Sequence, residues 1–113
     1  MPGAATSAGM LAVLATVTVG LAAVGAGAVH AQRLSAAVDA AALAAADAAS
    51  GAISGVPCDR AGRIAAEGAF DVVSCEVEGI TATVRISGSF GPFPAMAVAR
   101  AGPPAGQTIV VGR

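Results

Sequence analysis

Polar and apolar positions divide the chain into stretches with different periods. From Met1 to Val29 no side chain is charged, and Met10–Val29 reads MLAVLATVTVGLAAVGAGAV, twenty residues dominated by Leu, Val, Ala, Gly and Thr. A helix rising about 1.5 Å per residue needs about 20 apolar residues to cross a hydrocarbon core of roughly 30 Å. Buried helices of soluble proteins rarely run this long without a polar face. The pattern predicts a membrane helix over 9–29, after a short flank over 1–8.

From His30 to Ala52 the sequence has no Pro and one Gly, and it is rich in Ala, the best helix former. At 100° per residue, Leu34, Val38, Ala41, Ala45 and Ala52 share one side, while Gln32, Asp39 and Asp47 lie opposite, with Leu43 between the two Asp. This small apolar stripe predicts close packing against another helix or a sheet. The expectation is an Ala-rich stalk helix over 30–52, continuous with the membrane helix and about 66 Å long from Ser7 to Ser50. Ser50-Gly51 and Ser54-Gly55 break it.

The period then changes. Pro57–Glu67 reads as a short helix, with Pro57 at its first position, Asp59 at its positive end and Gly68 as its stop. Cys58, Ala61, Ile64 and Ala65 form its apolar stripe. Alternation of Val73, Cys75 and Val77 with Ser74 and Glu76 predicts a strand, and Glu78-Gly79 a two-residue turn. Ile80, Ala82, Val84 and Ile86 alternate with Thr81, Thr83, Arg85 and Ser87, the pattern of a half-buried strand. Gly88–Pro94 reads as a loop, and Ala95–Ala101 as a third strand with Met96 and Val98 on one face. Thr108–Val111 is a last short strand or part of a tail over 102–113. The fold class expected is α+β: a long N-terminal helix, then a small head over 53–101 made of a short helix and an antiparallel sheet.

Composition sharpens this picture. The chain has 113 residues, 56% of them hydrophobic and 12% charged, which argues against intrinsic disorder. Of these, 31 are Ala and only 3 are Phe, with no Trp or Tyr, so the excess does not supply a large core. A net charge of −1 without basic or aromatic patches argues against nucleic-acid binding. Small residues at four-residue spacing (Ala12, Thr16, Gly20; Ala23, Gly27) permit close lateral helix contacts, although an Ala-rich sequence produces such spacing by chance.

Two cysteines, Cys58 and Cys75, fall on expected inward faces of the short helix and the first strand. A bridge between them closes an 18-residue loop and contributes about 3 kcal/mol in the chain-entropy model. Two buried thiols are the alternative. A bridge places the head outside the cytoplasm; Arg33, the nearest basic residue to the membrane helix, argues the reverse through the positive-inside rule. No metal or cofactor is expected, because there is no CxxC and one His. No phosphate-binding loop or nucleophile elbow occurs, and Asp39 and Asp47 lie about 12 Å apart along the helix axis, too far for a carboxylate dyad. An enzyme is not expected.

The stretch Arg33–Ala49, RLSAAVDAAALAAADAA, resembles the signature that follows the membrane helix in TadE/TadG-like Flp pilus-assembly proteins. The matching residues are Gln32, Arg33, Leu34 and Asp39–Ala46, Leu43 among them, with Val38 where Ala is usual. Pro57-Cys58, Val73-Ser74-Cys75 and Ala99-Arg100-Ala101-Gly102-Pro103 resemble a short actinobacterial TadE-like subgroup whose genes neighbour a helicase and a secretion ATPase. The resemblance covers about residues 5–104. It implies a pilin-like fold and a pseudopilin or minor pilin of a Tad/Flp-type pilus or secretion machine, anchored in the cell membrane with its head extracytoplasmic. An assembly ATPase and an inner-membrane platform are its implied partners, with homo- or hetero-oligomers formed by helix packing. The sequence departs from the family at Ala8-Gly9, which lacks the usual preceding Arg, and at Ala8 and Leu14, where a prepilin-type site requires Glu.

Two other readings stay open. Val29-His30-Ala31 places small residues where a signal peptidase cuts, after Ala31, which makes the product a secreted binding module; no basic n-region precedes it. A head facing the cytoplasm makes the chain a regulatory subunit of a membrane complex.

Overall fold

A computed structural model describes residues 2–103. The fold is α+β: a long helix α1 (Pro2–Ser50), a short helix α2 (Pro57–Glu67) and strands β1 (Asp71–Glu78), β2 (Thr81–Phe90) and β3 (Phe93–Ala101). The strands form one antiparallel sheet in the order β1-β2-β3. The chain divides into two compact units with the boundary between Ala31 and Gln32. The expected last strand at Thr108–Val111 lies outside the described residues.

In the first unit the helix runs from Pro2, so the described part of the flank expected over 1–8 is helical. Proline suits a helix start, where its missing N–H has no partner to lose.

In the second unit, α1 turns Leu34, Val38, Ala41, Ala42, Ala45 and Ala46 inward. The stripe is wider than the four-residue spacing suggested, because Ala42 and Ala46 join it. Ala52 does not, since the helix ends at Ser50 and Ala52 is exposed. Gly51 (φ +83°) terminates α1 in the left-handed conformation, while its N–H bonds to Ala48 O (3.2 Å) and that of Ala52 to Asp47 O (2.9 Å). These bonds satisfy carbonyls that a helix end otherwise leaves bare.

Opposite the stripe, Ala82, Val84 and Ile86 of β2 are fully buried, joined by Ala61 and Ala65 of α2, Phe70 and Ala101. Val72, Cys75, Ala95, Ala97 and Ala99 pack around them. Ile86, Val38 and Val84 are the largest fully buried side chains. Alanines on both helix and sheet let the backbones approach closely, so the deficit of side-chain volume does not become void.

Helix α2 has the expected bounds, with Pro57 in its first turn. Gly68 caps its end, as expected, with φ −90°, and the left-handed residue is Ala69 (φ +61°). A Cβ on Gly68 would come within 2.9 Å of the Phe70 ring. Glycine is needed there for space, and the turn falls on the next residue.

The sheet departs from expectation in three places. β1 starts at Asp71, and its pairing with β2 shifts between Val72 and Ser74, leaving Val73 as an extra residue. One extra residue inverts the alternation. Val72 therefore packs on the core beside Cys75, while Val73 is exposed. The first hairpin turns at Gly79-Ile80, one residue later than Glu78-Gly79, because Glu78 pairs with Thr81. Positive φ at Gly79 (+61°) and not at Ile80 is the pattern of a two-residue turn that takes Gly first.

The expected loop over Gly88–Pro94 is the third departure. β2 runs on to Phe90, β3 begins at Phe93, and only Gly91-Pro92 turns. Gly91 (φ +58°) fills the first turn position, and the fixed φ of Pro92 suits the second. Pro94 sits one pair beyond the Phe90–Phe93 rung, where the N–H of an edge strand points away from its neighbour, so the ladder loses no bond. Gly88 is a strand residue because the Phe70 ring occupies the place of its Cβ, 2.6 Å from Phe70 Cδ1.

Candidate membrane anchor

In the first unit, residues 2–26 are all exposed, including Met10, Leu11, Val13, Leu14, Val17, Val19, Leu21 and Val24. α1 is long and apolar enough to cross a membrane, and none of its most apolar 18-residue window is buried. A soluble core helix of this composition would be covered by its own chain.

The hydroxyls of this segment bond internally. Thr6 Oγ1 donates to Pro2 O (3.0 Å), Ser7 Oγ to Gly3 O (2.9 Å), Thr16 Oγ1 to Ala12 O (2.9 Å) and Thr18 Oγ1 to Leu14 O (2.8 Å). In hydrocarbon each polar group must find its partner within the protein, and these four do so without a second chain. Gly9, Gly20 and Gly25 have open space where a Cβ would stand.

In the second unit, Cys58 in the first turn of α2 is bonded to Cys75 in the middle of β1, with Cα atoms 5.9 Å apart. The bond ties α2 to the sheet at a level where Cys75 pairs with the buried Val84. No free cysteine remains. Arg60 holds the connection before α2: its Nε donates to Ser54 O (2.9 Å), and Gly55 (φ +120°) leaves space for that side chain.

No family model, curated protein or solved structure matches this chain.

The remaining residues singled out from the sequence lie on one exposed side of α1. Gln32, Arg33, Asp39 and Leu43 are all exposed, opposite the buried Leu34, Val38, Ala41 and Ala45. The structure does not bring the polar ones together into a site. Among the described residues no group of three His, Cys, Asp or Glu side chains stands close enough to share a metal ion. Glu76, Glu78, Thr81, Thr83 and Arg100 line an open polar cleft at the end of the sheet near the first hairpin turn. Sequence reasoning missed Phe70, whose ring fills the place of two absent Cβ atoms. The signal was present as an isolated aromatic between Gly68 and Gly88, but only their approach in space gives it meaning.

Proposed function

We propose that the chain is a single-pass membrane protein without enzymatic activity, anchored by the apolar part of α1, with its disulfide-bonded head outside the cytoplasm. The carrying observation is the stretch of α1 before His30, which has no charged side chain, is exposed over residues 2–26 and satisfies four hydroxyls within itself. The Cys58–Cys75 bridge supports the orientation, since such bonds persist in oxidising compartments. Within this reading, the resemblance at Gln32, Arg33, Asp39 and Leu43 favours a TadE-like pseudopilin or minor pilin of a Tad/Flp-type pilus or secretion machine. Its exposed helix associates laterally with other subunits, an assembly ATPase and membrane platform being the partners the resemblance implies.

Fractionation with alkaline extraction tests the anchor, and thiol labelling of intact cells tests the orientation. The expected result is a protein retained in the membrane with no free thiol before or after lysis. A soluble product beginning at Gln32 supports instead the secreted binding module. One observation favours that second reading: the compact second unit begins at Gln32, the residue that follows the possible cleavage after Ala31.

A further inference from the structure

The sheet has two edges, and they differ. β1 carries the bulge at Val73 and the acidic Asp71, Glu76 and Glu78, devices that keep another strand from pairing with it. β3 pairs with β2 in unbroken register over its nine residues and bears one charge, Arg100. Phe90 and Phe93 close a two-residue turn, so their rung is hydrogen-bonded, and bonded rungs alternate from there. Met96, Val98 and Arg100 therefore turn their N–H groups away from β2, on the side where β3 is the last strand of the sheet.

Beside this edge lies a groove. Asp39 and Leu43 of α1 line it with Ala99, Arg100, Ala101 and Gly102 of β3 and its end. Leu43 is 57% exposed there. Val98 stands on the other face of β3, where it pairs with the exposed Arg85, and is 53% exposed. The edge thus presents an apolar side chain on each face of the sheet. A strand added to it covers both only if it is apolar on both of its own faces. β3 ends at the groove with Ala101, and Gly102 leaves the strand with φ +139°, close against Thr81, whose Oγ1 lies 2.7 Å from where a Cβ would stand.

We infer that the outer edge of β3 is the docking site of Thr108–Val111, which adds to it as a fourth, antiparallel strand. The inference lies within the second unit and holds whether the chain is anchored or secreted. Length and composition of the following sequence fit. Gly102–Gln107 supplies six residues to reverse the chain, with Gly102, Pro103, Pro104 and Gly106 among them. Thr108-Ile109-Val110-Val111 then makes the longest β-branched run after α1. Alternation puts Ile109 and Val111 on one face and Val110 with Thr108 on the other. Either register therefore sets one aliphatic side chain on the side of Leu43 and another on the side of Val98. With Thr108 opposite Ala101 or Arg100, four residues reach the outward N–H groups of Arg100 and Val98 and stop short of Met96. A second copy paired along the edge would reach Met96 as well.

Amide hydrogen exchange resolved by nuclear magnetic resonance tests this on the full-length chain in detergent micelles, disulfide intact. The amides of Val98 and Arg100 are expected to exchange at least about tenfold more slowly than in a chain ending at Pro103, while Met96 exchanges fast in both. Ala97 and Ala99, bonded to β2, stay protected in both and report a folded head. The full-length double variant Ile109→Gly, Val110→Gly keeps the chain length and is expected to match the shortened chain. Should the shortened chain lose protection at Ala97 and Ala99, the double variant carries the comparison. If Val98 and Arg100 exchange as fast in the parent as in the shortened chain, the inference falls. It falls equally if the double variant keeps the parent's protection. Protection that extends to Met96, persists without residues 104–113 and fades on dilution means that a second copy covers the edge, and overturns the inference.

Discussion

Ala69 is the only non-glycine residue with a positive φ among the described residues. It holds the end of α2, where Phe70 N–H bonds to Ala65 O (2.9 Å) and Ala69 N–H to Ala66 O (2.9 Å). The left-handed conformation costs an L-residue roughly 1–2 kcal/mol. Gly loses about 0.4–1 kcal/mol more than Ala in the unfolded chain. Ala69→Gly is therefore expected to stabilise the protein by on the order of 0.5–1 kcal/mol. Gly88→Ala is expected to act in the opposite sense, by roughly 1–3 kcal/mol, because the new methyl meets the Phe70 ring within a packed core. Urea midpoints of the two variants in detergent, on either side of the parent, check both signs. Neither effect was legible locally. Gly68 and Gly88 both look like chain breakers, and only the ring between them shows why they carry no side chain.

Among the elements, α2 and β2 were the most legible. Helix-spaced apolar residues after a proline set the bounds of α2, and strict alternation set the inward residues of β2. Each is a local pattern that packing reinforces. β1 was harder, since Val72 and Val73 are both apolar and the bulge decides which one faces in. The spacing of the cysteines left bridge and thiols open; the approach of their Cα atoms to 5.9 Å decides for the bridge. With few large side chains in the core, the bond carries a substantial share of the stability. Reduction is expected to cost about 3 kcal/mol, the chain-entropy value for such a loop. It should also expose the amides of α2 before those of the sheet. Urea unfolding by far-ultraviolet circular dichroism, with and without reductant, gives the size, and hydrogen exchange gives the order.

For the whole molecule, the decisive quantity is the free energy of placing the first unit in a bilayer. A charge at the centre of a span costs about 2.5–3.5 kcal/mol on insertion scales. The span is only moderately apolar, since many of its residues are Ala and Gly, so Val19→Arg should shift much of the protein out of the membrane fraction. Retention of Val19→Arg equal to the parent would argue against a spanning helix. The sequence by itself determined the uncharged apolar run, the order of helices and strands, the bounds of α2 and the inward face of β2. These follow from composition and from periods of 3.6 and 2, which a chain carries without reference to its fold. The tertiary structure decided which glycines turn the chain and which make room for Phe70, which of two adjacent valines faces the core, and that the cysteines join. Each of these depends on groups far apart in sequence meeting in space, and no local period encodes such a meeting.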